Sequence, residues 1–283
     1  MTPSLDALAR PSGTFLMVAM DQRESLRTML RDAGHDATDE RYAQFKRTVA
    51  HELAVYASGF LIEPEQVETV APFVAHGLIL AVDGLVQERG APVEDTYLEE
   101  PAELHTQVVA LKLLVIWRDD ARRAERVELA RRFVELAARH GVLSVLEPVV
   151  RVPEADREEA IVEAARELGA TGPSLYKCQV PLAGRGDPDE ITRWAREIDA
   201  ALPMPWVVLS QGVDADDFPR AVEAACKGGA SGMLAGRAVW TPAVGVDDPT
   251  DTLRGYSVAR LQQLGSIVDA HGRPWHSKPA REQ

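Results

Sequence analysis

Strand-length apolar runs recur along the whole chain, each bounded by turn residues and separated from the next by a stretch with helical periodicity. Eight runs stand out: residues 14–21 (TFLMVAMD), 59–63 (GFLIE), 77–83 (GLILAVD), 107–117 (QVVALKLLVIW), 142–148 (VLSVLEP), 174–180 (SLYKCQV), 206–212 (WVVLSQG) and 231–239 (SGMLAGRAV). Between them, segments such as AERVELARRFVELAARHG, DREEAIVEAARELG and DPDEITRWAREIDAAL repeat apolar residues three and four apart, the signature of amphipathic helices. Gly141 is a natural stop for the first of these, and a last helix is expected over residues 253–271. Several of the strands are apolar on both alternating faces, as in a parallel sheet covered by helices.

Strand and helix alternate without a break, and no Gly/Ser-rich or Pro-rich linker divides them. The pattern predicts an α/β chain forming a single (β/α)8 TIM barrel over residues 13–272. The polar or Pro-bearing tails, residues 1–12 and 273–283, are expected to be loosely ordered. An open doubly wound sheet usually shows a Gly-rich phosphate turn after its first strand, and AMDQRESL contains no glycine.

Composition narrows the function. With 31 basic against 44 acidic residues the formal charge is −13, which argues against nucleic acid or an anionic membrane as partner but leaves room for a small anion held by local cations. Two cysteines, Cys178 and Cys226, lack metal-ligand spacing and fit a reducing cytoplasm. The first residues, MTPSLDALARPSG, do not form a signal pattern, and no apolar run approaches the roughly 18 residues of a membrane span, so a cytoplasmic location is expected.

In such a barrel the site lies at the C-terminal ends of the strands. Asp21, Glu63 and Asp83 end the first three runs, Lys112 lies inside the fourth, Glu147 ends the fifth, and Lys177 lies inside the sixth. By the period of two, Lys177 shares a face with Leu175 and Gln179, and Lys112 with Ala110 and Leu114. If both lysines point inward, mutual repulsion and desolvation lower both ammonium pKa values, giving the neutral amine that Schiff-base chemistry requires. Glu147 is then a natural acid or base, or a counter-ion to either lysine. Asp21 either binds a substrate hydroxyl or caps the following chain. Ser210, Gln211 and Gly212 close the seventh strand and Gly236 and Arg237 the eighth, the usual phosphate end of this fold. Arg237 adds a charge-assisted partner for phosphate oxygens. Of the histidines only His35, in the long first loop, could reach this mouth, so neither a metal nor a cofactor is expected. Cys178 alternates away from Lys177 and reads as a packing residue.

The segments AMDQRESLRTML, LKLLVIWR, LEP, LYKCQVP, PWVVLSQGVDADDF and GASGMLAGRAVW, in that order and spacing from about Met17 to Trp240, resemble the bacterial class I aldolases that include tagatose-1,6-bisphosphate aldolase and sulfofructosephosphate aldolase. The resemblance implies Lys177 as Schiff-base lysine, Glu147 as proton shuttle, Lys112 as its charged neighbour, and Asp21 and Gln22 as contacts to substrate hydroxyls. It implies that Ser210, Gly212, Gly236 and Arg237 hold the phosphate of a dihydroxyacetone phosphate half. The far end of the sugar carries phosphate in one branch and sulfonate in the other; Arg23, Arg118, Arg185 and Lys112 are candidate cations for it, and the strand-four sequence KLLVIWR puts the sulfosugar first. A small-molecule sugar phosphate is thus the expected partner, and homo-oligomerisation is expected as well. The competing readings are a metabolite-binding regulator on an aldolase scaffold, and a transaldolase-type enzyme using the same lysine.

Overall fold

The computed structural model describes residues 3–278. Among them the strands, in chain order, are β1 (Phe15–Ala19), β2 (Gly59–Ile62), β3 (Leu78–Ala81), β4 (Asp83–Val86), β5 (Asp95–Leu98), β6 (Val108–Trp117), β7 (Leu143–Val150), β8 (Leu175–Gln179), β9 (Trp206–Leu209) and β10 (Gly232–Ala235). Eight of these close into a parallel barrel in the ring order β1, β10, β9, β8, β7, β6, β3, β2, while β4 and β5 pair antiparallel as a separate hairpin. The expected TIM barrel is therefore present.

Alternation along each strand creates two apolar cores. Phe15, Met17 and Ala19 of β1 meet Leu61, Ile79, Ala110, Val145, Leu175, Val207 and Leu234 inside the barrel. The intervening residues, among them Leu16, Val18, Phe60, Leu111, Tyr176 and Cys178, pack outward under the helices. These helices are α1 (Glu24–Asp32), α2 (Asp39–Leu53), α3 (Val67–Val70), α4 (Arg123–Arg139), α5 (Arg157–Gly169), α6 (Pro188–Ala201), α7 (Phe218–Lys227), α8 (Arg237–Trp240), α9 (Thr250–Thr252) and α10 (Val258–His271). Side-chain caps start two of the longer ones: the Thr38 hydroxyl accepts from the Arg41 amide at α2, and Asp187 caps α6 just before Pro188.

Three expectations need correction. First, the alternation of strand and helix is broken after β3, where the β4–β5 hairpin stands in place of a helix. Residues DGLV and DTYL flank a turn that includes Gly90, at φ +77°, and the segment lacks a helical apolar repeat. Second, the eighth run is not all strand: β10 stops at Ala235, and Arg237–Trp240 is helical. Third, the described parts of both tails are packed rather than loose. Leu5 and Leu8 enter the inner core beside Phe15, with Trp275 against the same cluster, and Arg273 and Lys278 both donate to the Asp199 carboxylate. Residues 1–2 and 279–283 of those tails lie outside the described residues. Among the described residues no helix is long and apolar enough to cross a membrane.

Leu8 is fully buried, so Leu8→Ala is expected to cost about 2–5 kcal/mol of stability in urea titration. A loss under about 0.5 kcal/mol, the scale of an exposed site, would show that the N-terminal segment does not seal the barrel.

Candidate active site

The C-terminal ends of the barrel strands open on a cavity of about 500 Å³. The register that closes the barrel also sets its floor. β6 and β7 pair in unbroken register from Ala110 beside Leu143 to Trp117 beside Val150, with Lys112 next to Val145 and Leu114 next to Glu147. Lys112, Glu147 and Lys177 fall on the inward face, as the period of two predicts, and all three line the cavity.

Lys112 Nζ lies 2.8 Å from Asp21 Oδ2, 3.0 Å from Asp83 Oδ1 and 3.0 Å from Glu147 Oε2. The other Glu147 oxygen, Oε1, is 2.9 Å from Lys177 Nζ. One carboxylate thus bridges two lysines. Asp83 is fixed further by accepting the Leu114 amide at 3.1 Å, a role not assigned to it from the sequence.

Electrostatics fixes the charge of Lys112. Burial works against the Lys112 ammonium, but Asp21, Asp83 and Glu147 outweigh it and hold its pKa well above the ordinary lysine value. The expectation of a lowered pKa at Lys112 is therefore overturned, because carboxylates rather than the second lysine are its nearest neighbours. Burial likewise opposes the Asp21 charge, yet Lys112 and then Lys177 keep that carboxyl well below the usual range.

Around this floor the cavity is lined by Gln22, Arg23, Ser210, Gln211, Gly236 and Arg237, all expected site residues. Gly212 is not among the lining residues; its φ of +80° shapes the turn after β9. Gly236 is required for space, since a Cβ there would stand 2.3 Å from the Ala19 carbonyl oxygen. Arg237 makes no side-chain hydrogen bond or ion pair among the described residues, and burial lowers its pKa against the pull of Glu147 and Asp21. Arg23 gives one donor, Nη1, to the Asp83 carbonyl at 2.7 Å, while its Nε and Nη2 are buried without a partner, as is Gln22 Oε1.

Other expectations fail on position. Arg118 and Arg185 do not line the cavity, and His35 turns away to Arg41 and Asp247. Glu63 points instead at Lys46 and Tyr42 of α2. Cys178 does face outward, and burial pushes its thiol up to about 12, as it does that of Cys226. One cation went unnoticed in the sequence: Arg151, just past the end of β7, lines the cavity together with Gly90, Ala91, Pro92 and Val93 of the hairpin turn. It lies beyond the Pro148 at which the fifth apolar run appeared to end. Among the described residues no group of three or more His, Cys, Asp and Glu side chains is arranged to hold a metal ion.

A parallel barrel whose mouth holds buried lysines bridged by a carboxylate is the layout of an enzyme that works on carbonyl compounds. Residues 15–242 match the DeoC/LacD family aldolases, and the chain belongs to that family. It is an aldolase, a carbon–carbon lyase. It is 26% identical to tagatose 1,6-diphosphate aldolase of Listeria monocytogenes serotype 4a (strain HCC23), over 97% of this chain and 93% of that one. It is 24% identical to the enzyme of the same name from Staphylococcus aureus (strain JH9), over 97% of each chain. Among solved structures, an archaeal fructose-1,6-bisphosphate aldolase with its catalytic lysine bound to the carbinolamine intermediate aligns with TM-score 0.64 at 18% identity, covering 94% of this chain and 98% of that one. The fructose-bisphosphate aldolase of Plasmodium falciparum aligns with TM-score 0.69 at 12% identity, covering 95% and 93%. At such identities these structures establish the shared fold.

Removing the central cation reverses a pH dependence. In the natural chain the depressed Asp21 carboxyl contributes stability above its ordinary pKa of 3.8, and that contribution is lost as pH falls through the lower folded value. In Lys112→Met, Asp21, Asp83 and Glu147 lose their shared ammonium, with an expected cost of about 3–5 kcal/mol at neutral pH. Protonation then relieves their repulsion, so the variant should gain stability as pH falls from 7 toward about 4. Urea titrations across that range measure it; a variant that weakens on acidification contradicts the assignment.

Proposed function

We propose that the chain is a class I aldolase that cleaves a ketose 1-phosphate through a Schiff base on Lys177. One observation carries the choice of lysine: among the described residues Lys112 spends its ammonium hydrogens on three carboxylates, whereas Lys177 pairs with Glu147 alone. Lys112 stays charged, and Lys177 is the amine able to pass a proton to Glu147 and attack.

In the proposed sequence Lys177 Nζ adds to the C2 ketone, and Glu147 returns a proton to the carbinolamine oxygen so that it leaves as water. The iminium then accepts the electron pair of the C3–C4 bond as a base removes the C4 hydroxyl proton, and a three-carbon aldehyde departs. Protonation of the enamine at C3 and hydrolysis release dihydroxyacetone phosphate and restore the amine. Lys112 keeps Glu147 and Asp21 oriented, and its positive charge favours their ionised forms between proton transfers. Arg237, Ser210 and Gly236 are proposed to hold the C1 phosphate, with Gln22 and Asp21 on the hydroxyls.

For the other end of the sugar, support comes from Arg151 and Arg23. Among the described residues Arg151 has no carboxylate partner, and burial together with nearby Arg118 lowers its pKa; Glu88 and Glu94 line the adjoining groove without pairing to either arginine. Unneutralised guanidinium groups beside each other suit an anion. The names of the relatives favour tagatose 1,6-bisphosphate, and the strand-four sequence favours 6-deoxy-6-sulfofructose 1-phosphate. A cytoplasmic homo-oligomer accompanies this reading, and light scattering tests the assembly.

Borohydride reduction in the presence of dihydroxyacetone phosphate is expected to fix one adduct on Lys177, located by peptide mass. Lys177→Met should fold normally and lose cleavage; an adduct elsewhere, or turnover by that variant, defeats the mechanism. Arg151→Met should raise KM about tenfold or more for substrates with an anionic C6 group while leaving the adduct on Lys177 intact. A KM unchanged for sulfofructose 1-phosphate and for tagatose and fructose 1,6-bisphosphates removes Arg151 from the site, and the kcat/KM ranking of those three compounds decides between the C6 groups.

A further inference from the structure

Behind the cavity a second set of buried charges grips the segment that carries Asp21 and Gln22. β1 ends at Ala19, and the carbonyls that follow leave the sheet. The Ala19 carbonyl accepts from Trp240 Nε1 at 3.0 Å, and the Met20 carbonyl accepts from Lys46 Nζ at 2.7 Å. Lys46 also donates to both oxygens of Glu63, at 2.5 and 2.6 Å, so all three ammonium hydrogens are used. Tyr42, one helical turn away on α2, gives its hydroxyl proton to Glu63 Oε1 at 2.6 Å, and the Gln22 carbonyl lies 3.2 Å from the Tyr42 hydroxyl oxygen.

This arrangement is costly as a way of filling space. Lys46 is 0% and Glu63 1% exposed, and burial brings Lys46 down to about 8 and raises Glu63 despite their contact. A well-packed apolar pair in the same volume is commonly as stable as a buried ion pair. What an apolar pair cannot supply is a donor to the Met20 carbonyl, one peptide unit before Asp21. No other side-chain donor reaches that carbonyl among the described residues, whose own sheet partner on the amide side is the Leu61 carbonyl.

We propose that Lys46, held by Glu63 and Tyr42, is a positioning residue for carbon–carbon cleavage: through the Met20 carbonyl it fixes the segment that presents Asp21 to Lys112 and Gln22 to the cavity. Lys46 is not among the residues that line the cavity. The inference rests on the proposed Schiff-base reaction, in which Lys177, whose ion pair runs to Glu147 rather than to this segment, forms the imine. Displacing Asp21 by a fraction of an ångström therefore leaves imine formation on Lys177 in place and slows the later cleavage step.

The test uses the double variant Lys46→Met/Glu63→Leu, which removes both charges together and leaves neither uncompensated. Three quantities are compared with the natural chain: the urea midpoint, the borohydride adduct formed on Lys177 with dihydroxyacetone phosphate, and kcat and KM for tagatose 1,6-bisphosphate. The expected result is a retained midpoint, full adduct yield, and kcat lower by about 10- to 100-fold with a smaller change in KM. Natural kcat in the folded double variant overturns the proposal, and so does parallel loss of adduct and turnover, which marks a structural role. If the double variant does not fold, Tyr42→Phe replaces it: loosening Glu63 should lower kcat about fivefold with adduct yield intact, and an unchanged kcat is decisive against the proposal. Absence of adduct in the natural chain itself would strike the Schiff-base reading instead, so the two failures are distinguishable.

Discussion

The ammonium of Lys112 is the interaction on which the mouth of this barrel depends. Asp21 just past β1, Asp83 at the start of β4 and Glu147 within β7 all reach it, and three carboxylates brought this close need a cation between them. Two unit charges about 4 Å apart interact by about 4 kcal/mol at an effective dielectric of about 20. That scale exceeds the cost of most single substitutions. The same cation draws strand ends from across the ring onto one point, so electrostatics and barrel closure specify a common geometry. It also divides labour: with Lys112 locked in its charged form, the free oxygen of Glu147 is left to Lys177.

Around that ion-paired floor the remaining cations are left largely unpaired. Among the described residues Arg237 makes no side-chain hydrogen bond or ion pair, Arg23 leaves two nitrogens unsatisfied, and Arg151 pairs with no carboxylate and has Arg118 nearby. Most other arginines are matched at the surface, as in the Arg123 pairs with Asp119 and Glu163 or the Arg254 pair with Glu52. The net charge of −13 therefore coexists with a cationic cavity, because acidity spread over helix faces is screened by water and salt while cations in a concave mouth act at short range. The hairpin formed by β4 and β5 deepens the mouth on the side of Arg151, where a connecting helix would have packed flat against the barrel.

The two inward lysines were visible in the sequence because a strand repeats every two residues: Ala110, Lys112 and Leu114 must share a face whatever their partners, and so must Leu175, Lys177 and Gln179. The hairpin was hidden because DGLV and DTYL are short, and a short polar-flanked segment between two strong apolar runs resembles any loop. Arg151 escaped notice because Pro148 looked like the end of a strand that in fact continues to Val150, a proline being tolerated where its missing amide is not needed. Lys46 was lost in the polar positions of an amphipathic helix, and its partner Glu63 lies on a different element.

By itself, the sequence determined the alternation of strands and helices, the inward faces, and hence a barrel with lysines and carboxylates at its mouth; these follow from local periodicity and chain chirality. Only the tertiary structure decided what each charge is for. The charge state of Lys112 is set by carboxylates 91, 29 and 35 positions away along the chain, at residues 21, 83 and 147, and a Coulomb interaction depends on distance through space rather than along the chain. The same two lysines read as mutually repelling from the sequence become, once folded, one ammonium fixed among three carboxylates and one lysine paired with the carboxylate they share.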